Sequence, residues 1–588
     1  MLKENRWKSA GFLFQFVLIY YWMIFLLDAD SHYAVYLLTG TAGILCCGIN
    51  WKVRIFPEEK REKILTLLFS FVLSTAVVAA NYAMFTDPES SKWNKVFSLI
   101  VICMGGMIAF GQILVCLAAR LQSFSFIKKK EQNRKLPLYV VFLSAAAPMA
   151  ILNLLLLFLS EYPGNFTVDS MNQIGQILTG NYSNHHPFYH TMIIGFFVKI
   201  GYAVWGNMNA AVAVYNVFQI LFLAACFSFG MVTLYQTGVP VKYIVVCDLF
   251  YTLMPFHLVY SITVWKDVLF GGFVLLFTVA VFRVLGNIGS HKIINYLIFL
   301  FGSLGTCLLR SNGWLAYLLV FGGFLLLFKW SDKKLCISFF FVLVVSFILK
   351  HPVLAALNVS QPDTIESLSI PTQQIARVIT EYNDLTEEQK TLLNEIVSVD
   401  DIPIEYVNYI SDPIKSMIRR RNYQPYLDEH KGEFLKLYVE LGIKHPKGYV
   451  KAWIDQTRGF WNGGYRYWVW SQGVQANDFG ISREVKSAGM HLWLYQYVES
   501  FSDSNVLVIF LSIGFYVWIV SMVCYISLIR KDKIACFLTF PVLAVILTLL
   551  VATPVFAEFR YAYAVFCTVP FLLFVPFTDR SEMVKTNL

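Results

Sequence analysis

The sequence predicts an all-α, polytopic membrane bundle of about fourteen spans with an inserted, mainly helical extracytoplasmic domain. Of its 588 residues, 57% are hydrophobic and the mean hydropathy is +0.58. A chain this apolar does not form a set of soluble domains, which would expose much of that surface to water. Apolar runs near the ~20 residues that a bilayer needs recur along the chain, and one long polar region, 351–504, interrupts them.

The N-terminal region, 1–136, is predicted to hold four spans. Lysine and arginine gather in the short segments after the second and fourth runs, WKVR and KKKEQNRK. This is the positive-inside pattern, so the N-terminus is expected inside. The same pattern accounts for the net charge of +9, and no nucleic-acid partner is expected. The four spans are expected at about 10–27, 32–49, 64–85 and 96–119.

The next region, 137–350, begins with a span at about 137–160 that carries the chain outside. The short apolar run 191–205 then raises a question of parity. As a span it would place the basic segment KWSDKK outside and the polar region 351–504 inside, so we expect it to lie in the outer interface. Six further spans are expected at about 209–235, 241–262, 268–287, 292–309, 314–329 and 335–350.

Residues 351–504 read as a soluble domain outside the membrane. Charged, helix-like stretches such as LTEEQKTLLNEIV are followed by an aromatic run, Trp461–Trp470. Three spans, at about 505–528, 534–552 and 563–577, complete a C-terminal region 505–588. Both termini are therefore expected on the inner side, with the polar region outside.

Polar residues at the span ends fall on the outer side under this topology. The first large outer loop, 161–208, carries Asp169 and three histidines at 185, 186 and 190. Ionisable residues at the rim of a membrane bundle are costly to bury unless they are paired or solvated, so their convergence on one face predicts a functional cavity. The other charged residues of this face are Lys266, Asp267, Arg310, Glu558 and Arg560.

Each of these residues also has a purely structural alternative. Asp169 fits a helix N-cap before MNQIGQIL, and the adjacent histidines fit a turn before Pro187. The pair Lys266 and Asp267 fits snorkelling at the interface, and the remaining charges fit anchors or a plain ion pair. The aromatic run fits an interfacial belt. Their joint occurrence on one face favours a site.

Five short motifs in this order, YPGNFTVDS, HHPFYH, WKD, LRSNG and EFRY, resemble the polytopic glycosyltransferases of the GT-C superfamily, in particular bacterial members of unassigned function. The motifs are spread over residues 161–561. The resemblance implies a GT-C-like seven-span core at 137–350, a catalytic outer loop at 161–208 and a juxtamembrane helix at 191–205. It also implies a cytoplasmic-membrane enzyme whose active site is extracytoplasmic.

The activity that the resemblance implies is transfer of a sugar from a polyprenyl-phosphate donor to an extracytoplasmic cell-envelope glycan or lipid-linked acceptor. Inversion at the anomeric carbon is expected, because only one good carboxylate candidate lies on the outer loop 161–208. Such a reaction needs a carboxylate to take the acceptor's proton and cations to hold the departing phosphate. By matching position, Asp169 is the general base. Donor phosphate contacts are assigned to Lys266, Arg310, Arg560, His185 and His186; sugar or acceptor contacts are assigned to Asp267, Glu558, Trp461, Tyr467 and Trp468.

No cofactor is expected. The lack of a Walker A motif and of a strand-borne GxGxxG in the sequence fits a lipid-linked donor rather than a nucleotide sugar. A divalent cation at the histidine pair is a lower-ranked alternative, because the pair is adjacent rather than spaced i, i+4 on a helix. The rival function is a transporter or flippase of lipid-linked glycans. A transporter is expected to carry midplane charges or broken helices in paired halves, and the spans read as nearly free of midplane charge.

Overall fold

The computed structural model describes residues 2–29, 31–53, 55–85, 91–126, 136–289, 291–466 and 473–578. These residues form helices and loops, with isolated β-bridges and no β-strand among them. The predicted all-α class is therefore confirmed.

The first ten helices cover the N-terminal region and the start of the predicted core. They are α1 (Leu2–Phe25), α2 (Ala34–Val53), α3 (Lys60–Ala80), α4 (Lys92–Leu121), α5 (Leu138–Leu155), α6 (Val168–Thr179), α7 (Phe188–Trp205), α8 (Met208–Gln236), α9 (Val241–Leu253) and α10 (Pro255–Ser261). Four more complete the predicted core: α11 (Lys266–Leu285), α12 (Lys292–Leu308), α13 (Gly313–Phe328) and α14 (Lys333–Ile348).

The polar region and the C-terminal region hold the remaining helices. In the polar region these are α15 (Leu354–Ala356), α16 (Ser369–Tyr382), α17 (Glu387–Asn394), α18 (Ile402–Glu405), α19 (Asp412–Arg419), α20 (Tyr423–Glu429), α21 (Lys431–Lys444), α22 (Pro446–Thr457) and α23 (Ala488–Asp503). The last four are α24 (Ile513–Ile529), α25 (Lys533–Phe537), α26 (Phe540–Ala552) and α27 (Tyr563–Leu572).

Eleven helices of the described residues are long and apolar enough to cross a membrane, which makes the chain a multi-pass membrane protein. A twelfth candidate is the pair α9 and α10, bent by 56° where Pro255 starts a new helix. The predicted number was about fourteen. Three predicted spans correspond to α12, α13 and α24, which have only 16 or 17 residues and reach about 26 Å.

Helix α7 is among the eleven candidates by length and composition, whereas the sequence predicted a surface helix there. Helices α5 and α8 run antiparallel, since Leu136 before α5 contacts Tyr235 near the end of α8. Near the start of α8, Tyr215 bonds His190 in the first turn of α7 at 2.8 Å. The last turn of α7 leads directly into the start of α8. Both ends of α7 therefore lie at the same end of α8, which favours a helix along the surface.

Helix α11 is the central helix of the bundle and is almost entirely buried. Small residues let its neighbours approach closely. Gly302 of α12 lies against the backbone of Phe277, and Gly271 of α11 itself lies against the ring of Tyr563 in α27. Van der Waals packing at such contacts drives helix association in a bilayer, where the hydrophobic effect between helices is absent. The first residue of α11 is Lys266, so this rigid helix positions the WKD motif.

The polar region has two parts with different cores. Residues from Ile365 to Tyr449 form a hydrophobic core of their own. Beyond them, Phe460 and Phe501 are buried in the main core of the membrane bundle. The first part is tied to the bundle by Arg377, which pairs with the buried Asp455, and Asp455 also accepts a hydrogen bond from Tyr82 at 2.8 Å. The first part of the polar region is therefore packed on one end of the bundle.

Candidate functional site

Asp169 is the second residue of α6, and local hydrogen bonds fix the start of that helix. The backbone N–H of Thr167 donates to Ser170 Oγ at 3.2 Å, and Ser170 Oγ donates to the carbonyl of Val264 at 2.6 Å. Trp265 Nε1 donates to Thr167 Oγ1 at 2.9 Å. Thr167 rather than Asp169 takes the N-cap position. The carboxylate of Asp169 is thus held beside the WKD motif and left to contact other groups.

Three cations come to this position from separate parts of the chain. Lys266 is the first residue of α11, and Arg310 follows the last turn of α12. Arg560 lies in a 3₁₀ turn, Phe559–Ala562, just before α27. All three are largely buried, with side chains 8–19% exposed. Together with three carboxylates and one histidine, they form what we call the charged cluster: Asp169, His186, Lys266, Asp267, Arg310, Glu558 and Arg560.

Asp169 is the most connected carboxylate of the charged cluster. Arg560 Nη1 lies 2.9 Å from Asp169 Oδ2, and Lys266 Nζ lies 3.9 Å from the same oxygen. Lys266 Nζ also lies 3.3 Å from His186 Nδ1. Because an ammonium only donates, Nδ1 is the acceptor and the ring proton is on Nε2. His186 Nε2 is buried and has no hydrogen-bond partner among the described residues.

The second part of the charged cluster is built on Arg310. Its Nη1 lies 3.0 Å from Asp267 Oδ1 and donates to the carbonyl of Tyr561 at 2.9 Å. Glu558 Oε1 lies 3.4 Å from Arg560 Nε. The guanidinium of Arg310 also lies 4.9 Å from the centre of the Tyr561 ring. Stacking on an aromatic face adds to the stability of a cation and limits its orientation.

Burial and charge shift the pKa of the groups outside the spans in different directions. Burial alone would raise the pKa of Asp169, but Arg560 and Lys266 outweigh it and hold that pKa well below its usual range. Burial, with the nearby carboxylate of Asp267, raises the pKa of Glu558 to about 7 despite Arg560. Burial and the charge of Lys266 lower the pKa of His186 to about 3, so its ring is neutral at pH 7.

A cavity of about 180 Å³ adjoins the charged cluster at Arg310. It lies between the start of α7 and the ends of α12 and α14, and its wall includes Tyr189, Trp314, Lys350 and His351. Lys350 Nζ donates to the carbonyl of Ser311 at 3.1 Å, so a fourth cation lies next to Arg310. A cavity with cationic and aromatic walls beside an ion-paired carboxylate is suited to an anion that carries an apolar or ring-shaped group.

The remaining predicted site residues are not members of the charged cluster. His185 is exposed, and its ring packs edge-on against His186. Trp461 donates from Nε1 to Thr457 at 3.1 Å, and its ring stacks on that of Trp453 with 6.0 Å between the centres; among the described residues, neither of these contacts is with the charged cluster. Tyr467 and Trp468 fall outside the described residues. Within the described ranges, no three His, Cys, Asp or Glu side chains come together as a metal site requires, so the divalent-cation alternative stays a prediction.

The structure adds several residues to this face. Trp265 lies 4.9 Å from the Arg560 guanidinium, and Tyr561 stacks with Arg310; both flank residues that were already singled out. The ion pair of Glu161 with Arg483, at 2.7 Å, joins the loop before α6 to the segment before α23. Its partners are 322 residues apart, so no local signal predicts it.

No curated protein and no solved structure matches the chain. A family described as of unknown function matches residues 178–587, a range that holds His186, Lys266, Arg310 and Arg560 but begins after Asp169. The match covers more than half of the chain, and the chain therefore belongs to this family of unknown function, DUF6020.

Proposed function

We propose that the chain is a membrane glycosyltransferase that moves a sugar from a polyprenyl-phosphate donor to an extracytoplasmic cell-envelope glycan or lipid-linked acceptor, with inversion. The charged cluster supports this proposal most directly. Three segments that are distant in the sequence place Lys266, Arg310 and Arg560 in one largely buried position beside Asp169. A buried group of paired ionisable residues is typical of a functional site, and its three cations are of the kind that bind a phosphate.

The phosphate of the donor is the anion that fits the proposal. Arginine offers two parallel N–H donors to a phosphate, and lysine offers a compact charge. The Nε2–H of His186 adds a neutral donor that no described residue uses. The adjoining cavity at Arg310, with Trp314 and Lys350 in its wall, would accept the group next to the phosphate. His185, being exposed, lies at the edge of this arrangement.

Asp169 is the proposed general base. In the free protein Arg560 and Lys266 pair with its carboxylate and depress its pKa, which makes it a weak proton acceptor. A donor phosphate that draws these cations away would raise the proton affinity of Asp169 at the moment that the acceptor hydroxyl attacks the anomeric carbon. The proton then passes to Asp169, and the carrier phosphate leaves with the bonding electrons, stabilised by the cations.

The other two carboxylates take different places in the proposal. Asp267 is 1% exposed and pairs with Arg310, so it acts by holding that guanidinium in place. Glu558, with its pKa raised to about 7, is the second candidate for proton transfer or for binding a sugar hydroxyl. Trp461, Tyr467 and Trp468 stay predicted sugar contacts. No cofactor is included in the proposal.

The transporter is kept as the second candidate because of one observation. The span formed by α9 and α10 is broken by 56° at Met254 and Pro255, and broken helices are typical of substrate sites in transporters. The broken span leads directly to the WKD motif. In this alternative the charged cluster would bind the phosphate of a lipid-linked glycan during movement across the membrane, with no bond broken.

A transfer assay separates the two candidates. Purified protein would be given radiolabelled sugar on synthetic polyprenyl-phosphate hexoses with cell-wall glycan as acceptor, comparing wild type, Asp169→Asn and the exposed control Glu433→Gln. Loss of a general base reduces transfer by about 100-fold or more, while donor binding and the control stay near wild type. Full activity in Asp169→Asn would refute the base and favour Glu558. No transfer with any donor, together with glycan movement in proteoliposomes, would favour the transporter.

A further inference from the structure

A large basic cavity lies at the end of the bundle opposite the charged cluster. It has a volume of about 1310 Å³ and lies between the last turn of α11, the start of α12 and the turn that joins α13 to α14. Arg283 in its wall is 17 residues after Lys266 on α11, so about 26 Å of helix separates the two sites. The cations that line it are Arg283, Lys292, Lys333 and Lys334, and Asp332 is the one carboxylate that the described residues place in its wall.

Arg283 is the unusual residue of this cavity. It is 9% exposed, and its hydrogen bonds go to neutral groups: Nε donates to Asn295 at 2.8 Å, and Nη1 donates to Thr233 at 3.0 Å and Gln236 at 2.6 Å. Within the described part of the chain it forms no ion pair, and its Nη2 donates to no described residue. A buried charge normally has a counter-ion, because desolvation is otherwise uncompensated. A bound anion would supply the missing charge.

The turn after α11 contacts the guanidinium of Arg283 and leaves its Nη2 uncovered. Asn295 also donates from Nδ2 to the carbonyl of Ile288 at 2.8 Å, which ties the turn to Arg283. Gly289 has φ +82°, and a Cβ there would lie 2.7 Å from Arg283 Nη2. A residue with a side chain would therefore both strain the backbone and cover the nitrogen that donates to no described group. Asn287, another residue of the turn, is in the cavity wall.

The position of the cavity identifies the class of anion. Its lysines belong to KWSDKK and to the start of α12, the basic segments that the positive-inside pattern places on the cytoplasmic side. The wall also contains apolar side chains, Ile293, Leu297, Phe328 and Ile534, beside the cations. A cleft with both cations and apolar side chains in its wall matches a lipid, which carries a phosphate and acyl chains. Basic pockets between membrane helices on this side bind anionic head groups.

We propose that this cavity binds the phosphate head group of an anionic membrane lipid, with Arg283 as the buried contact and the exposed Lys333 and Lys334 as further contacts. The site is separate from the charged cluster and does not depend on sugar transfer. The lipid would complete the charge balance at the inner end of α11, whose other end carries Lys266 and Asp267.

Direct binding measurements test the proposal. Protein in a neutral detergent would be titrated with short-chain phosphatidylglycerol, with phosphatidylcholine of the same chains and with inorganic phosphate. We expect saturable binding of phosphatidylglycerol and much weaker binding of the other two. Arg283→Gln should weaken phosphatidylglycerol binding by about tenfold or more, since a charge-assisted hydrogen bond is lost. Each of Lys333→Gln and Lys334→Gln should weaken it by about fivefold.

The matched control is Lys242→Gln, which removes an exposed cation at the start of α9 and does not line the cavity. It should bind like wild type. The lysine variants change exposed side chains and keep the test valid even if Arg283→Gln proves unstable. Equal binding of phosphatidylcholine, binding that survives unchanged in the lysine variants, or phosphate binding as strong as that of the lipid would each overturn the proposal.

Discussion

The pair of Arg310 and Asp267 gives the sharpest prediction about stability. Asp267 is 1% exposed, and neither of its oxygens accepts a well-aligned hydrogen bond from a described residue. Its closest cation is Arg310, at 3.0 Å. Arg310 has other partners, because it donates to the carbonyl of Tyr561 and stacks on the rings of Tyr561 and Phe270. The two members of the pair are therefore not equally dependent on each other.

Replacing Arg310 by Met leaves a buried carboxylate without its counter-ion. Breaking a buried pair in this way costs about 3–5 kcal/mol, and the nearby charges of Lys266 and Arg560 place the expected loss at about 3 kcal/mol. Asp267→Leu should cost less, because Arg310 keeps its carbonyl and ring contacts. The double variant, with an apolar pair in place of the ion pair, should recover most of the loss, since such replacements are often neutral.

The free energy of unfolding would be measured by denaturing-detergent titration in mixed micelles, with the exposed Arg420→Met as control. The expected order of stability is control, then the double variant and Asp267→Leu, then Arg310→Met. The reasoning is refuted if Arg310→Met is as stable as Asp267→Leu, or if the double variant is no more stable than Arg310→Met.

Glu558 and the part of the polar region with its own core, Ile365 to Tyr449, give two further predictions. Because the pKa of Glu558 is raised from 4.5 to about 7, the free energy of unfolding should fall by up to about 3 kcal/mol as the pH rises from 4.5 through 7. Glu558→Gln should lack this pH-dependent loss of stability. Because the pKa of His186 is lowered, its contribution to the unfolding free energy changes with pH in the opposite direction. The contribution of the Glu558 carboxyl is therefore measured as the difference in unfolding free energy between wild type and Glu558→Gln. Equal pH dependence of the two proteins would contradict the assignment. Arg377→Met should weaken the docking of the part with its own core by about 2 kcal/mol, because it leaves the buried Asp455 short of a partner. Limited proteolysis of that part should then be about 30-fold faster. Arg419→Met, which breaks an ion pair internal to that part, should affect cleavage less; an equal effect of the two variants would argue against docking through Arg377.

The charged cluster could be anticipated only in part. The sequence placed Asp169, Lys266, Arg310 and Arg560 on one face, because span ends alternate between the two sides of a membrane. The sequence did not predict which of these four residues are in contact. Asp169 and Arg560 are 391 residues apart, and their contact at 2.9 Å depends on how α6, α11 and α27 pack. The same limit explains why Tyr561 and Glu161 were not singled out.

The composition and periodicity of the sequence by themselves determined the all-α class and the membrane location, because apolar runs near 20 residues have few other stable structures. The tertiary structure decided the rest. It divided the polar region into a part with its own core and a part buried in the bundle, and it placed both ends of α7 at one end of α8. It also left Arg283 facing a cavity without a carboxylate partner among the described residues. These outcomes depend on contacts between distant residues, which local sequence patterns do not specify.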